Sequence, residues 1–299
     1  MKSDNDQAVY QVISESGSRG RLYIVATPIG NLDDMSSRAG RVLAMVDVIA
    51  AEDTRHSGRL LQHLGLQKRL IALHDHNERD RAGSLLDELE AGRSVALISD
   101  AGTPLISDPG YVLVREARKR GFVVTPIPGP CALVAGLSAA GLPTDRFLFV
   151  GFLPAKRSGR RAALDALRRE AATLVFYESP HRILDTVHDI AEVLGEDREI
   201  VLGRELTKTF ETFYSGEVHQ VLATLESDSH GTKGEFVVMV HGASAASIDE
   251  LPEALDVDRL LGLLLVELPV KKAARIVAEL TGRSKNELYQ RALELKQDE

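Results

Sequence analysis

The stretch 95-VALISDAGTPLISDPGYVLV-114 decides how the chain folds. Val95 to Ile98 is a short, wholly apolar run, the pattern of a strand buried on both faces of a parallel sheet. It stops at Ser99, and twelve residues rich in Ser, Asp, Gly, Thr and Pro precede an amphipathic helix that begins near Gly110. In open α/β sheets, ligands bind in the crevice beyond the carboxyl ends of the strands. Gly102 lacks the Cβ that would hold a ligand off the main chain, and Pro104 and Pro109 stiffen the loop.

The same strand–loop–helix alternation runs outward from this point. Strands are expected at 22–27, 48–51, 70–74, 95–99 and 122–127, with helices at 36–46, 54–65, 78–92, 111–121 and 131–141. Five strands alternating with helices mean a parallel sheet with right-handed crossovers, so residues 20–142 read as an amino-terminal α/β domain. A second α/β domain is expected over 143–243. Its late strands, 199–205, 210–218 and 235–242, are joined by short links, which implies a mixed sheet with antiparallel pairs. Residues 1–19 read as a disordered tail. Residues 244–299 read as a linker followed by a small helical domain, in which 272–282 and 285–293 resemble a helix-turn-helix capped at Ser284.

A chain of 299 residues suits two domains and an appendage. Its net charge of −8 gives no global basic field, so any contact with nucleic acid must be local. The densest basic segment is 156–169, which carries Lys156, Arg157, Arg160, Arg161, Arg168 and Arg169 against one acid, Asp165. It reads either as an RNA-backbone contact or as a solvated helix face. Lys271, Lys272, Arg275, Arg283 and Lys285 form a second, diluted patch. The single cysteine, Cys131, excludes an internal disulfide and suits a reducing cytoplasm. The polar, acidic opening MKSDNDQAVYQ is not expected to be a signal peptide, and no apolar run approaches the ~20 residues that would span a membrane.

Loops at 28-PIGNL-32, 53-DTRHS-57, 99–110 and 128-PGPCA-132 all follow strands of the first domain and should line one sheet edge together. No Gly-rich triphosphate loop and no dinucleotide fingerprint is present, which leaves a small zwitterionic or adenosine-bearing ligand held by backbone groups. The pair in 74-HDH-76 lacks a third ligand and reads as hydrogen-bonded rather than metal-binding, so no metal is expected.

The succession PIGNL, AEDTR, SDAGTPLISDPG, PIPGPCA, FYESPHR, GRELTK and GEFVV, in this order, resembles the tetrapyrrole methylase superfamily, and more narrowly its ribosomal RNA branch. The resemblance covers residues 20–242 and extends to the carboxy-terminal helices. It implies two α/β domains of tetrapyrrole-methylase type, with S-adenosylmethionine between them, and a homodimer. The implied reaction is 2′-O-methylation of a cytidine ribose in 16S rRNA, in the decoding region of the small ribosomal subunit. Two other readings stay open: methylation of a precorrin-type tetrapyrrole, and a non-catalytic rRNA-binding assembly protein.

Carried over by position, Gly102, Thr103, Ile106 and Ser107 should wrap the methionine part of the cofactor. Thr103 stands where the wider superfamily has Asp, which leaves open whether Thr103 or Asp100 faces it. Cys131 and Ala132 should lie beside the cofactor and Pro28 should close one wall. Tyr177, Leu206 and the GEF of Gly234, Glu235 and Phe236 should supply the adenine side. A ribose hydroxyl is a poor nucleophile, so a base or a cation should help it. Asp53, Arg55 and Glu178 are the catalytic candidates, with Glu52 and His181 beside them. Asp53 also reads as a helix cap, and Arg55 and Arg182 as phosphate ligands.

Overall fold

The computed structural model describes residues 20–244 and 257–297. The expected tail, 1–19, and residues 245–256 of the expected linker lie outside the described residues. What is described falls into two compact units, 20–168 with 172–241, and 169–171 with 242–244 and 257–297.

The first unit holds two sheets. β1 (Arg21–Val25), β2 (Val48–Ala51), β3 (Arg69–Ala72), β4 (Val95–Ile98) and β5 (Val123–Ile127) pair in parallel in the order β3-β2-β4-β1-β5. α1 (Ser37–Met45) and α2 (Thr54–His63) pack on one face, where Tyr23, Val25, Ile49 and Ile98 meet Leu43 and Leu61. α3 (Glu78–Glu90) and α4 (Tyr111–Lys119) cover the other, where Leu22, Val48, Val95 and Leu97 meet Leu85, Leu89 and Leu113. Burial of both faces is why β2 and β4 are unbroken apolar runs. The strand order reverses between β4 and β1, and that switch point opens a crevice at their carboxyl ends.

One buried carboxylate fixes the end of the 99–110 loop. Glu78 Oε1 accepts hydrogen bonds from the backbone N–H groups of Gly110 (3.0 Å) and Val112 (2.7 Å), at the amino terminus of α4. A negative charge there satisfies N–H groups that have no partner within the helix. Glu78→Ala is expected to lower unfolding free energy by about 2 kcal/mol in urea titration, with Glu78→Gln losing less.

β6 (Phe147–Phe152), β7 (Thr173–Glu178), β8 (Glu199–Arg204), β9 (Thr212–Glu217) and β10 (Phe236–Val240) form the second sheet, ordered β6-β7-β10-β8-β9. Only β6–β7 is parallel, and the other three pairings are antiparallel, as the short late links require. α6 (Arg157–Ala166), α7 (Ile183–Leu194) and α8 (Val218–Ser227) cover one face through Leu164, Val187, Ile190 and Val221. The opposite face, with Val175, Val201, Val237 and Met239, receives α5 (Ala132–Ala139), the last helix of the first half of the chain. Gly136 lets α5 approach closely, since a Cβ there would lie 3.1 Å from Val237 Cγ1. This packing seats the second sheet beside the crevice of the first.

The second unit contains α9 (Val257–Glu267), α10 (Val270–Thr281) and α11 (Lys285–Gln297) around Leu261, Ala274, Val277, Leu288 and Ala292. α10 ends at Gly282, whose φ of +67° suits a residue without a side chain. α11 shows Glu287, Gln290 and Glu294 on one side, and its Arg291 is held by Asp258 and Glu294. Among the described residues, no helix is long and apolar enough to cross a membrane.

Candidate functional site

A cavity of about 360 Å³ lies in the first unit, between the loops that follow its first sheet and the inner edge of its second. Its position follows from two backbone devices. The loop after β4 is pinned to the segment after β1 by a two-residue bridge, in which Thr27 N donates to Gly102 O (2.9 Å) and Gly102 N to Thr27 O (3.1 Å). Among the described residues, Leu105, Ser107, Glu205 and Thr207 are the non-glycine residues with positive φ. All four fall in the two loops, 99–110 and 205–211, that face this cavity. Left-handed backbone costs about 1 kcal/mol or more per residue for ordinary side chains, and it concentrates where a loop must shape itself to a ligand.

The structure brings all but two of the cofactor candidates to this cavity. Asp100, Gly102, Thr103, Ile106 and Ser107 line it from the loop after β4, and Cys131 and Ala132 from the start of α5. Tyr177, Leu206, Glu235 and Phe236 line it from the second sheet. Pro28 and Gly234 stand one residue behind. Ile29 takes the wall expected of Pro28, and Gly234 (φ +92°) makes room for the Glu205 side chain against its backbone. Thr103 and Asp100 both line the cavity, but each is already tied: Thr103 Oγ1 donates to Pro130 O (2.9 Å), and Asp100 Oδ1 accepts from Asp53 N (3.0 Å).

Tyr177 is the hinge of the far wall. Its hydroxyl accepts from the Leu133 N–H (3.0 Å), and its ring meets Phe149 and Phe152 edge-on at 5.0 and 5.8 Å. Burial pushes its phenol well above the usual tyrosine range, so it stays neutral. Lys208, Glu205, Phe152 and Val237 join the lining, and sequence reasoning does not single them out. Lys208 lies inside GRELTK, but nothing in its spacing shows it turned inward. Its Nζ bonds Glu205 (2.8 Å) and Glu235 (3.0 Å), and its stem packs where a Gly30 side chain would be.

The charge of the lining is one-sided. Glu52, Asp100, Asp108, Glu178, Glu205 and Glu235 face the cavity, against Lys208 as the single cation among its described lining residues. With Ile29, Ile106, Phe152, Leu206 and Val237 as apolar walls, this arrangement suits a cationic small molecule with a flat, partly apolar body.

The catalytic candidates separate. Asp53 caps α2 by accepting from Arg55 N (2.7 Å) and pairs with the Arg55 guanidinium (2.9 Å), which holds its carboxyl at a pKa of about 2. Neither Asp53 nor Arg55 lines the cavity. Glu178 does, but its carboxylate is buried and accepts from Thr186 Oγ1 (2.7 Å) and Ser179 N (2.8 Å), with Arg182 3.3 Å away.

The basic segment also divides. Arg160 is only 2% exposed and its Nε donates to the buried Asp189 carboxylate at 2.6 Å. Its guanidinium is committed inside the protein, so the expectation of an RNA contact there is corrected. Arg157 bonds Asp189 (3.0 Å) and Glu192 (2.9 Å), and Arg161 bonds Glu192, though both keep exposed surface. Arg182 donates to the carbonyls of Leu153 (2.7 Å) and Pro154 (3.2 Å). Lys156, exposed at the start of α6, has no acidic partner among the described residues. At the strand edge expected to be metal-free, His74 Nε2 lies 3.1 Å from Asn77 Nδ2. Asp197, Glu217 and His219 bring ligand-capable atoms within 4.8 Å of one another elsewhere, all three exposed.

Residues 21–222 match the family described as Tetrapyrrole (Corrin/Porphyrin) Methylases, and residues 252–296 match an RsmI C-terminal HTH domain. A protein named ribosomal RNA small subunit methyltransferase I from Escherichia coli O157:H7 is 57% identical over 281 residues, covering 94% of this chain and 97% of that one. Its namesake from Pseudomonas aeruginosa is 56% identical over 279 residues, 93% and 98% of the two chains. Among solved structures, diphthine synthase aligns with a TM-score of 0.59 at 15% identity over 77% of this chain and 94% of its own. Uroporphyrin-III-C-methyltransferase from Thermus thermophilus aligns with a TM-score of 0.54 at 21% identity over 84% and 100%. These last two likenesses concern the fold alone.

Proposed function

The chain belongs to the tetrapyrrole methylase family, within the group of ribosomal RNA small subunit methyltransferase I, and from that membership we propose that it methylates the 2′-oxygen of a cytidine in 16S rRNA. It is a methyltransferase with S-adenosylmethionine as methyl donor. The residues present suit that cofactor. The acidic lining offers counter-charge to a sulfonium and an ammonium, Gly102 leaves space against the main chain, and the apolar wall of Leu206, Val237 and Tyr177 accepts an adenine. Bound there, the cofactor supplies a methyl group already activated by positive sulfur. The protein's share is to hold the acceptor oxygen in line with that methyl group, which is chiefly a matter of proximity and orientation.

The observation that carries the reading is the coincidence of this cavity with near-full-length identity above 50% to the rRNA enzymes, helical domain included. Phosphate contacts fall to Lys156 and to the exposed faces of Arg157 and Arg161, close in sequence to Phe152 on the cavity wall. A ribosomal subunit as substrate places the protein in the cytoplasm. Small subunits lacking the modification, incubated with labelled cofactor, should gain label at one phosphodiester that then resists alkaline hydrolysis. Label in a precorrin or uroporphyrinogen acceptor instead would overturn the substrate. Label in neither would leave a binding protein.

Dimerisation is part of the same proposal. β6 is an edge strand with Phe147, Leu148 and Val150 exposed by 37–46%, the kind of apolar edge that soluble proteins normally cover. Sedimentation should find the wild-type chain dimeric and Phe147→Asp shifted to monomer by roughly tenfold or more in dissociation constant, since a buried charge costs well over 1.4 kcal/mol.

A further inference from the structure

Of the carboxylates that remain after Asp53 and Glu178 are set aside, Glu52 and Asp108 line the cavity from the loops of the first sheet. Ala51 of β2 pairs with Ile98 of β4, so Glu52 and Ser99 emerge side by side at the carboxyl ends of neighbouring strands. The Asp108 carboxyl lies within electrostatic reach of Ser99 and Asp100, and that of Glu52 within reach of Asp100 and Asp108. Glu52 and Asp108 therefore flank the Ser99–Asp100 segment, and both line the cavity. Neither forms an ion pair among the described residues, whereas Asp53 has Arg55, Glu178 has Arg182, and Glu205 and Glu235 have Lys208.

We propose that Glu52 and Asp108 act as a pair that takes the proton of the acceptor hydroxyl during methyl transfer. The proposal rests on the ribose-methylation reading and names the residues that complete it. In the step, a bond forms between the ribose O2′ and the methyl carbon while that carbon's bond to sulfur breaks. The electron pair stays on sulfur, which becomes a neutral thioether, and the hydroxyl proton passes to the carboxylate pair. One positive and one negative charge vanish together. Asp53 and Glu178 are excluded on chemical grounds, and Asp100 already accepts from the Asp53 N–H at 3.0 Å. A carboxylate at a pKa of about 2, as in Asp53, is a weaker base than a cavity carboxylate that lacks a cation, and Glu178 already accepts two hydrogen bonds.

The electrostatics agree with the geometry. Burial, and after it the charges of Asp108 and Asp100, raise the Glu52 carboxyl above the usual range. Burial likewise raises Asp108, followed by Asp100 and Asp75. Facing the pair are Asp75 and Asp100 from the first sheet's loops, and Tyr177, Glu178, Glu205 and the Lys208–Glu235 pair across the cavity. Like charges that cannot both ionise freely hold a proton to higher pH, which makes them better proton acceptors near neutrality.

Glu52→Gln, Asp108→Asn and the double variant test this in the full-length protein, with small subunits as substrate. Each single variant is expected to lose about 100-fold or more in single-turnover rate at saturating cofactor, and the double variant little beyond that, because the two act as a unit. The acidic limb of the wild-type pH–rate profile should vanish in Glu52→Gln. In cofactor-free protein, carboxyl carbon resonances should show a titration step above the ordinary carboxylate range that is lost in both single variants. Full rate with the acidic limb intact would overturn the proposal. So would a rate restored by excess cofactor, which would make the pair counter-charge only. Wild-type protein that binds cofactor but labels no RNA would instead overturn the substrate reading, and this role with it.

Discussion

Gly102→Val is expected to weaken S-adenosylmethionine binding by at least about 100-fold, a loss of roughly 2.7 kcal/mol, while the protein still folds. Two effects act together. Gly102 has φ of +81°, a conformation that a β-branched residue essentially never adopts. A Cβ built there lies 3.3 Å from Ile29 Cγ2, and the two further methyl groups of valine have nowhere to go but the cavity or Ile29. The bridge between Gly102 and Thr27 also couples this residue to the segment after β1, so a twist at Gly102 moves two walls at once. The fold survives because the strands on either side are held by the buried cores of the first sheet, which Gly102 does not enter. Calorimetry would give the affinity, and circular dichroism with thermal melting the fold. Gly102→Ala, with the backbone strain but only one added carbon, should fall between. Wild-type affinity in the valine variant would mean that this loop does not hold the cofactor.

The fold is legible because each element advertises its surroundings. β2 and β4 are buried on both faces and therefore carry no polar alternation, while the loops that follow them are dense in Gly, Pro and Asp. The order of the second sheet is not legible, since β10 enters between β7 and β8 through pairings that no local pattern encodes. Within the site, glycine points correctly to Gly102 but cannot reveal Leu105, Ser107, Glu205 and Thr207, whose left-handed backbone is imposed by the surrounding structure on residues that do not favour it. Asp53 is ambiguous between cap and catalyst in the sequence, and the cap prevails because Arg55 follows two residues later and closes on it. Composition alone misplaces Arg160, although a signal exists. It lies four residues before Leu164, on the helix stripe that turns inward, and Leu164 is fully buried.

Asp189→Ala is expected to be strongly destabilising, costing about 3–5 kcal/mol and roughly 10 °C in melting temperature. The Asp189 carboxylate is 1% exposed and receives Arg160 at 2.6 Å and Arg157 at 3.0 Å, joining α7 to α6. Removing it leaves the Arg160 guanidinium, itself 3% exposed, with Asp185 at 4.0 Å as its remaining anion and out of reach of water. The cost lies in that poorly compensated buried charge more than in the lost bond, so Arg160→Met combined with Asp189→Leu should recover most of the stability. The cycle also separates folding from RNA binding. Arg160→Ala should lower the yield of folded protein while each folded molecule keeps its affinity for the small subunit. Lys156→Ala should do the reverse, leaving the melting temperature unchanged and reducing the salt dependence of binding by about one phosphate contact. If Arg160→Ala melts like wild type yet loses RNA affinity, the Asp189 pair opens in the complex and the guanidinium serves the substrate after all.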